Sequence, residues 1–130
     1  MNQYIIDTNI LIHILVSYLP EKSHDCMKDI CARSFCVSII SKIELLGYRG
    51  ETPDGLSIAR EFLQNADIIP LSDSISEITI NLMQNHSIRL PDAVIAASAF
   101  YLNAILVTRN VKDFIGIEGI SIFNPFDSRG

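Results

Sequence analysis

Four acidic side chains, Asp7, Glu44, Asp92 and Asp113, fall where this chain passes from one expected element into the next. Asp7 closes a short apolar run and Asp92 opens a helix just after a proline. Glu44 lies one turn into another helix, and Asn110 and Asp113 follow a late strand. Oxygen ligands at such positions suit magnesium or manganese, hard ions that take one or two protein carboxylates together with water and substrate phosphate. Carboxylates brought together raise one another's pKa, so a bound cation relieves them. Water held by such an ion becomes a usable nucleophile near neutral pH, and the ion steadies charge on a phosphoryl group. Metal-assisted hydrolysis of a phosphate ester is the chemistry these residue types point to.

Each acid also has a purely structural use. Asp7 suits an Asx turn, Glu44 suits a capping box with Ser41, Asp92 favours a helix dipole, and Asp113 suits a solvated surface. Jointly those uses are weaker, because Asp7 runs straight into a very apolar segment where a lone carboxylate is costly. Thr8, Asn9 and Thr108 are candidate hydrogen-bond partners that orient the acids, or caps, and Asn110 offers a neutral oxygen. His13, His24 and His86 share no ligand spacing, and His13, set among Ile12, Ile14 and Leu15, reads as a core residue. Cys26, Cys31 and Cys36, at five-residue intervals, fit no zinc pattern and read as buried thiols of a reducing compartment.

The elements that must position these groups alternate along the chain. Short apolar runs at 3–6, 35–40, 67–71, 104–108 and 120–123 read as strands. Helical spacing covers 10–19, stopped at Pro20, then 21–33, 56–66, 72–86 and 93–103. A further helix is capped by Ser41 and closed by Gly47 and Gly50. Thr52-Pro53-Asp54-Gly55 reads as a turn, and 110–114 as a turn or short helix. Continuous apolar strands alternating with helices predict an α/β domain with a parallel sheet covered on both faces. Such sheets bind ligands at the carboxyl ends of their strands. The acids converge there if the first, second and fourth strands are neighbours.

With 130 residues, 48% of them hydrophobic and 19% charged, the chain has enough apolar material for one core and suits one domain over 1–130. No stretch is apolar for the roughly 18 residues a membrane span needs. No basic leader with a cleavage site is present, so a cytoplasmic location is expected. A net charge of −5, with ten scattered Lys and Arg, argues against a module that coats nucleic acid. It leaves room for an enzyme that grips a phosphodiester through metal.

Four ordered motifs resemble a known family. Tyr4-Ile5-Ile6-Asp7-Thr8-Asn9-Ile10-Leu11-Ile12 resembles the opening of the PIN domain, in particular the VapC toxins of bacterial toxin–antitoxin pairs. Ser38-Ile39-Ile40-Ser41-Lys42-Ile43-Glu44-Leu45 resembles the second motif, Leu90-Pro91-Asp92-Ala93-Val94-Ile95-Ala96-Ala97-Ser98-Ala99 the third, and Leu106-Val107-Thr108-Arg109-Asn110-Val111-Lys112-Asp113-Phe114 the fourth. The resemblance implies an α/β/α sandwich around a parallel sheet of four or five strands. It implies a magnesium- or manganese-dependent endoribonuclease, with Asp7 and Asp92 as metal ligands and Glu44 completing the pocket. Asp113 or Asn110 would stand at its fourth corner. It also implies an RNA substrate, a cognate antitoxin and a homodimer. The alternatives are a catalytically weak PIN scaffold used for binding, or a PIN nuclease directed at DNA. A phosphorelay receiver, another small α/β domain with acids at strand ends, fits poorly, because Asp7 has no acidic neighbour and Lys112 follows its strand in a loop.

Overall fold

A computed structural model describes residues 2–16, 21–50 and 52–127 of the chain. In chain order the elements are β1 (Tyr4–Ile6), α1 (Thr8–Leu15), α2 (Glu21–Arg33), β2 (Cys36–Ser38), α3 (Ile39–Leu46) and α4 (Pro53–Leu63). They continue with β3 (Asp67–Ile69), α5 (Asp73–Asn85), α6 (Leu90–Leu102), β4 (Ile105–Val107), α7 (Val111–Phe114) and β5 (Ile122–Phe123). No helix among the described residues is long and apolar enough to cross a membrane.

Every strand pairing is parallel, in the order β3-β2-β1-β4-β5. The sheet thus has five strands, the upper figure expected, and β1 lies between β2 and β4. Successive strand side chains point to opposite faces, and the core divides accordingly. Ile5, Cys36, Ile69 and Leu106 join Ile75, Leu82, Val94, Ala97 and Phe114 on the face covered by α5, α6 and α7. Ile6, Val37 and Val107 join Ile10, Leu11, Met27, Ile30, Ala59 and Leu63 on the face covered by α1, α2 and α4. Three layers result, as predicted.

Several boundaries differ from the expected ones. The second strand stops at Ser38, whose hydroxyl accepts the Ile40 N–H and starts α3 at once. Ser41 is therefore a buried residue inside the helix and not its cap, and the capping box with Glu44 does not form. Thr52-Pro53-Asp54-Gly55 is the start of α4, with Thr52 Oγ1 accepting the Gly55 N–H and Pro53 in the first turn, where its missing N–H costs nothing. Of the helix expected over 10–19, the part from 17 onward lies outside the described residues. The described part begins earlier, at Thr8.

α6 packs against α5 and the sheet through small residues: Ala93, Ala96 and Ala97 are all fully buried. After Leu102 the chain reverses through Asn103, at φ 53° in the left-handed region that asparagine tolerates, and enters β4. Close approach of α6 sets where its first turn, and hence Asp92, stands over the sheet edge. Ala96→Leu should overpack this contact and cost about 1–3 kcal/mol, seen as a lower urea midpoint with an unchanged denaturant slope.

Candidate active site

The order β3-β2-β1-β4-β5 reverses direction at β1. The chain leaves β1 toward β2 on one side and later returns to β4 on the other. In open α/β sheets such a reversal, here at the carboxyl ends of β1 and β4, is the place where ligands bind. Ile6 pairs with Val107 in register, so Asp7 and Thr108 stand side by side as the next residues. By strand alternation both side chains point to the α6 face.

Asp7 is held from two sides. Its Oδ1 accepts the Thr8 N–H at 2.8 Å and its Oδ2 accepts the Thr108 hydroxyl at 2.7 Å. Thr108, itself fully buried, accepts the Asn110 N–H at 3.0 Å through the same oxygen. Its proton is thereby committed to Asp7. Only 5% of Asp7 is exposed. Burial pushes its carboxyl from 3.8 up to about 6, with Asp92 and Glu44 adding to the rise, and the two hydrogen bonds oppose it.

Thr8 links the first helix to α3. Its Oγ1 lies 2.7 Å from Glu44 Oε1 and 2.8 Å from Ser41 Oγ. A hydroxyl has one proton and a carboxylate accepts, so when Thr8 donates to Glu44 it takes its own hydrogen bond from Ser41. Ser41 and Glu44, three residues apart, share one helix face and both meet Thr8. By type and spacing Ser41 is expected to be a cap. Its burial beside an acid follows from the helix starting three residues sooner.

Asp92 lies in the first turn of α6. Burial raises its pKa, Arg89 at 3.7 Å opposes the rise, and Asp113 and Glu44 add to it. Asp92 therefore feels Glu44 and Asp113 and itself acts on Asp7, and Asp113 is exposed on α7. Asn110 is exposed, and its side chain does not cap α7. His13 stands apart, against Phe126, with its pKa lowered by burial and by Arg109.

The donor set suits a hard divalent cation. In it Asp7 and Asp92 carry charge penalised by burial and by neighbouring acids, the condition a cation relieves. Asn9 Oδ1, two residues from Asp7, is a buried acceptor without a hydrogen-bond partner, open to a donor that arrives with a ligand. Among the described residues no group of three or more acidic, histidine or cysteine side chains is arranged to hold a metal ion. An ion here would draw its remaining ligands from water and substrate, the usual habit of magnesium.

Residues 4–117 match the PIN domain family. The chain belongs to that family. This PIN domain is similar to a toxin–antitoxin complex from Klebsiella pneumoniae, at 29% identity over 96% of this chain and 99% of that one, with a TM-score of 0.76. It is also similar to VapBC2 from Rickettsia felis, solved bound to a DNA fragment from its promoter. There the identity is 25% over 93% and 97% of the two chains, with a TM-score of 0.76. The DNA-bound VapBC of Salmonella typhimurium shares the fold with a TM-score of 0.81 at 21% identity, over 96% and 99%. No curated protein matches the chain. The VapC-like resemblance of the four motifs is upheld, and the receiver alternative falls.

The raised pKa of Asp7 makes the site a stability burden. The folded chain keeps this proton to about pH 6, while the unfolded carboxyl loses it near 3.8. Between those values the folded state binds more protons, so stability falls as pH rises through that window and stays lower above it. Asp7→Asn should therefore stabilise the metal-free protein at pH 7.5 by about 1–2 kcal/mol. That is less than the ~3 kcal/mol corresponding to the full shift, because the amide replaces one accepting oxygen. The gain should shrink toward zero near pH 4, as urea unfolding in EDTA at the two pH values would show.

Proposed function

We propose that this protein is a magnesium- or manganese-dependent endoribonuclease acting as the toxin of a toxin–antitoxin pair. The observation that carries the reading is that Asp7, just after β1, is buried with Glu44 and Asp92 close enough for both to raise its pKa, Glu44 being tied to Thr8. Membership of the PIN family, with similarity to toxin–antitoxin complexes, supports the toxin role. In this reading Asp7 and Asp92 hold the cation, and Glu44, oriented by Thr8, completes the acidic pocket. When bound, the ion lowers the pKa of a coordinated water and steadies charge on the phosphoryl oxygens.

The chain's own groups do the positioning. Thr108 keeps Asp7 oriented, so its carboxylate needs no reordering when substrate arrives. Glu44, exposed but tied to Thr8, is placed to orient a water or take its proton. Asp113 adds negative charge beside Asp92, and Asn110 offers a neutral oxygen at the same edge. The substrate we assign is RNA, which carries the phosphodiester such a site attacks. Exposed apolar side chains, among them Ile12 on α1, Ile43 on α3 and Ile58 on α4, offer surface to an antitoxin or to a second copy in a homodimer. An arginine or lysine from the antitoxin entering the acidic site would suit inhibition.

Asp7→Asn and Asp92→Asn should each lower metal-dependent RNA cleavage by at least about 100-fold with unchanged circular dichroism. EDTA should abolish cleavage by the parent, and added magnesium or manganese should restore it. Undiminished cutting by both variants, free of contaminating nuclease, overturns these roles. Manganese titration separates the scaffold alternative, which should neither bind the ion well nor cut. Expression should be toxic and relieved by the small protein encoded beside the gene; failure of any neighbour to relieve it removes the toxin role.

A further inference from the structure

Glu44 is an exposed side chain on α3, and such a glutamate samples several rotamers unless something holds it. The tie here is the Thr8 hydroxyl, whose Oγ1 lies 2.7 Å from Glu44 Oε1. Thr8 has a second acceptor within equal reach, Ser41 Oγ at 2.8 Å, and only one proton to give. That proton stays on Glu44 only if Ser41 donates to Thr8 and does not accept from it. Ser76, Thr79 and Ser98 turn back on their own helices, donating to the carbonyls of Ser72, Ile75 and Val94, each at 2.8 Å. The Ser41 hydroxyl instead crosses from α3 to Thr8 on α1. Ser41 is fully buried, and a buried hydroxyl whose proton finds no acceptor is costly.

The direction of the chain follows from these constraints. Ser41 donates to Thr8, and Thr8 donates to Glu44. Hydrogen bonds in series polarise one another, so the first strengthens the second. Resting on the ribonuclease reading of the site, we infer that Ser41 is a positioning residue of the reaction. Through Thr8 it commits a proton to Glu44 and keeps that carboxylate in one rotamer, ready for the attacking water. It touches neither substrate nor reacting atoms, so its loss falls on turnover and leaves substrate binding as it was.

The test has two readouts. One is cleavage of a labelled, mixed-sequence single-stranded RNA in magnesium. The other is the set of three-bond NMR couplings that report the Glu44 rotamer in isotope-labelled, metal-free protein. Ser41→Ala should lower kcat about five-fold, the worth of one hydrogen bond, at an unchanged KM, and should replace single-rotamer couplings of Glu44 with averaged ones. Ser41→Cys, similar in volume but a weak donor, should do the same, with its urea midpoint showing that the fold is kept. Thr8→Val removes the tie itself and should cost about thirty-fold. Adding Ser41→Ala to Thr8→Val should cost nothing more, whereas independent roles would multiply to about 150-fold. The inference is overturned if Ser41→Ala and Ser41→Cys turn over at the parent's rate, or if Glu44 keeps its single rotamer in both. It is equally overturned if the losses multiply in the double variant, which would make Ser41 a packing residue only. Should the parent cut no RNA while both Ser41 variants release Glu44, the ribonuclease reading falls and the hold of Ser41 on Glu44 stands.

Discussion

A nearly buried carboxylate at the end of a central strand is a poor choice for stability, and the surroundings of Asp7 are organised around keeping it there. Burial and two neighbouring acids disfavour its charge, while one backbone N–H and the Thr108 hydroxyl support it. Those two donors come from different parts of the chain, one from the start of α1 and one from the end of β4. Their meeting depends on β1 and β4 being paired in register. The parallel sheet is thus the device that places a donor 101 residues away against Asp7.

The same logic extends to the second and third acids. Glu44 is tied to the site through Thr8, and Thr8 is in place because α1 begins immediately after Asp7. Asp92 is carried in by α6, whose alanines allow close approach to the sheet. Like charges collected this way oppose folding, which is the pattern expected of a functional site and not of a stabilising one. Arg89 lies against Asp92, and Arg109 lies on Phe126.

Much of the fold was legible in order and type because strand and helix periodicities are local. The alternation of short apolar runs with helical spacing and Pro91 at a helix start are signals carried within a few residues. Errors gathered at the junctions. Residues 35–40 are all apolar or small, so nothing in their composition separates a strand ending at Ser38 from a helix beginning at Ile39. The serine that caps is the one whose hydroxyl reaches a free N–H, and Ser38 and Ser41 are equally good by type. Thr52-Pro53-Asp54-Gly55 has the composition of a turn and also that of a capped first helical turn. The packing of Ala59 and Leu63 against the α1 layer decides between them.

By itself, then, the sequence determined the element order, the parallel three-layer class and the identity of the acids at element ends, because period, capping chemistry and motif spacing are properties of neighbours along the chain. The tertiary structure alone decided that Glu44 and Asp92 both act on Asp7 and that Asp113 acts on Asp92. It also decided that Ser41 serves Thr8 and not a helix end, and that Arg109 lies on Phe126. These are matters of strand order and helix seating, and interactions between charges and hydroxyls fall off over a few ångströms. No regularity of the chain records them until the sheet brings its distant segments to one edge.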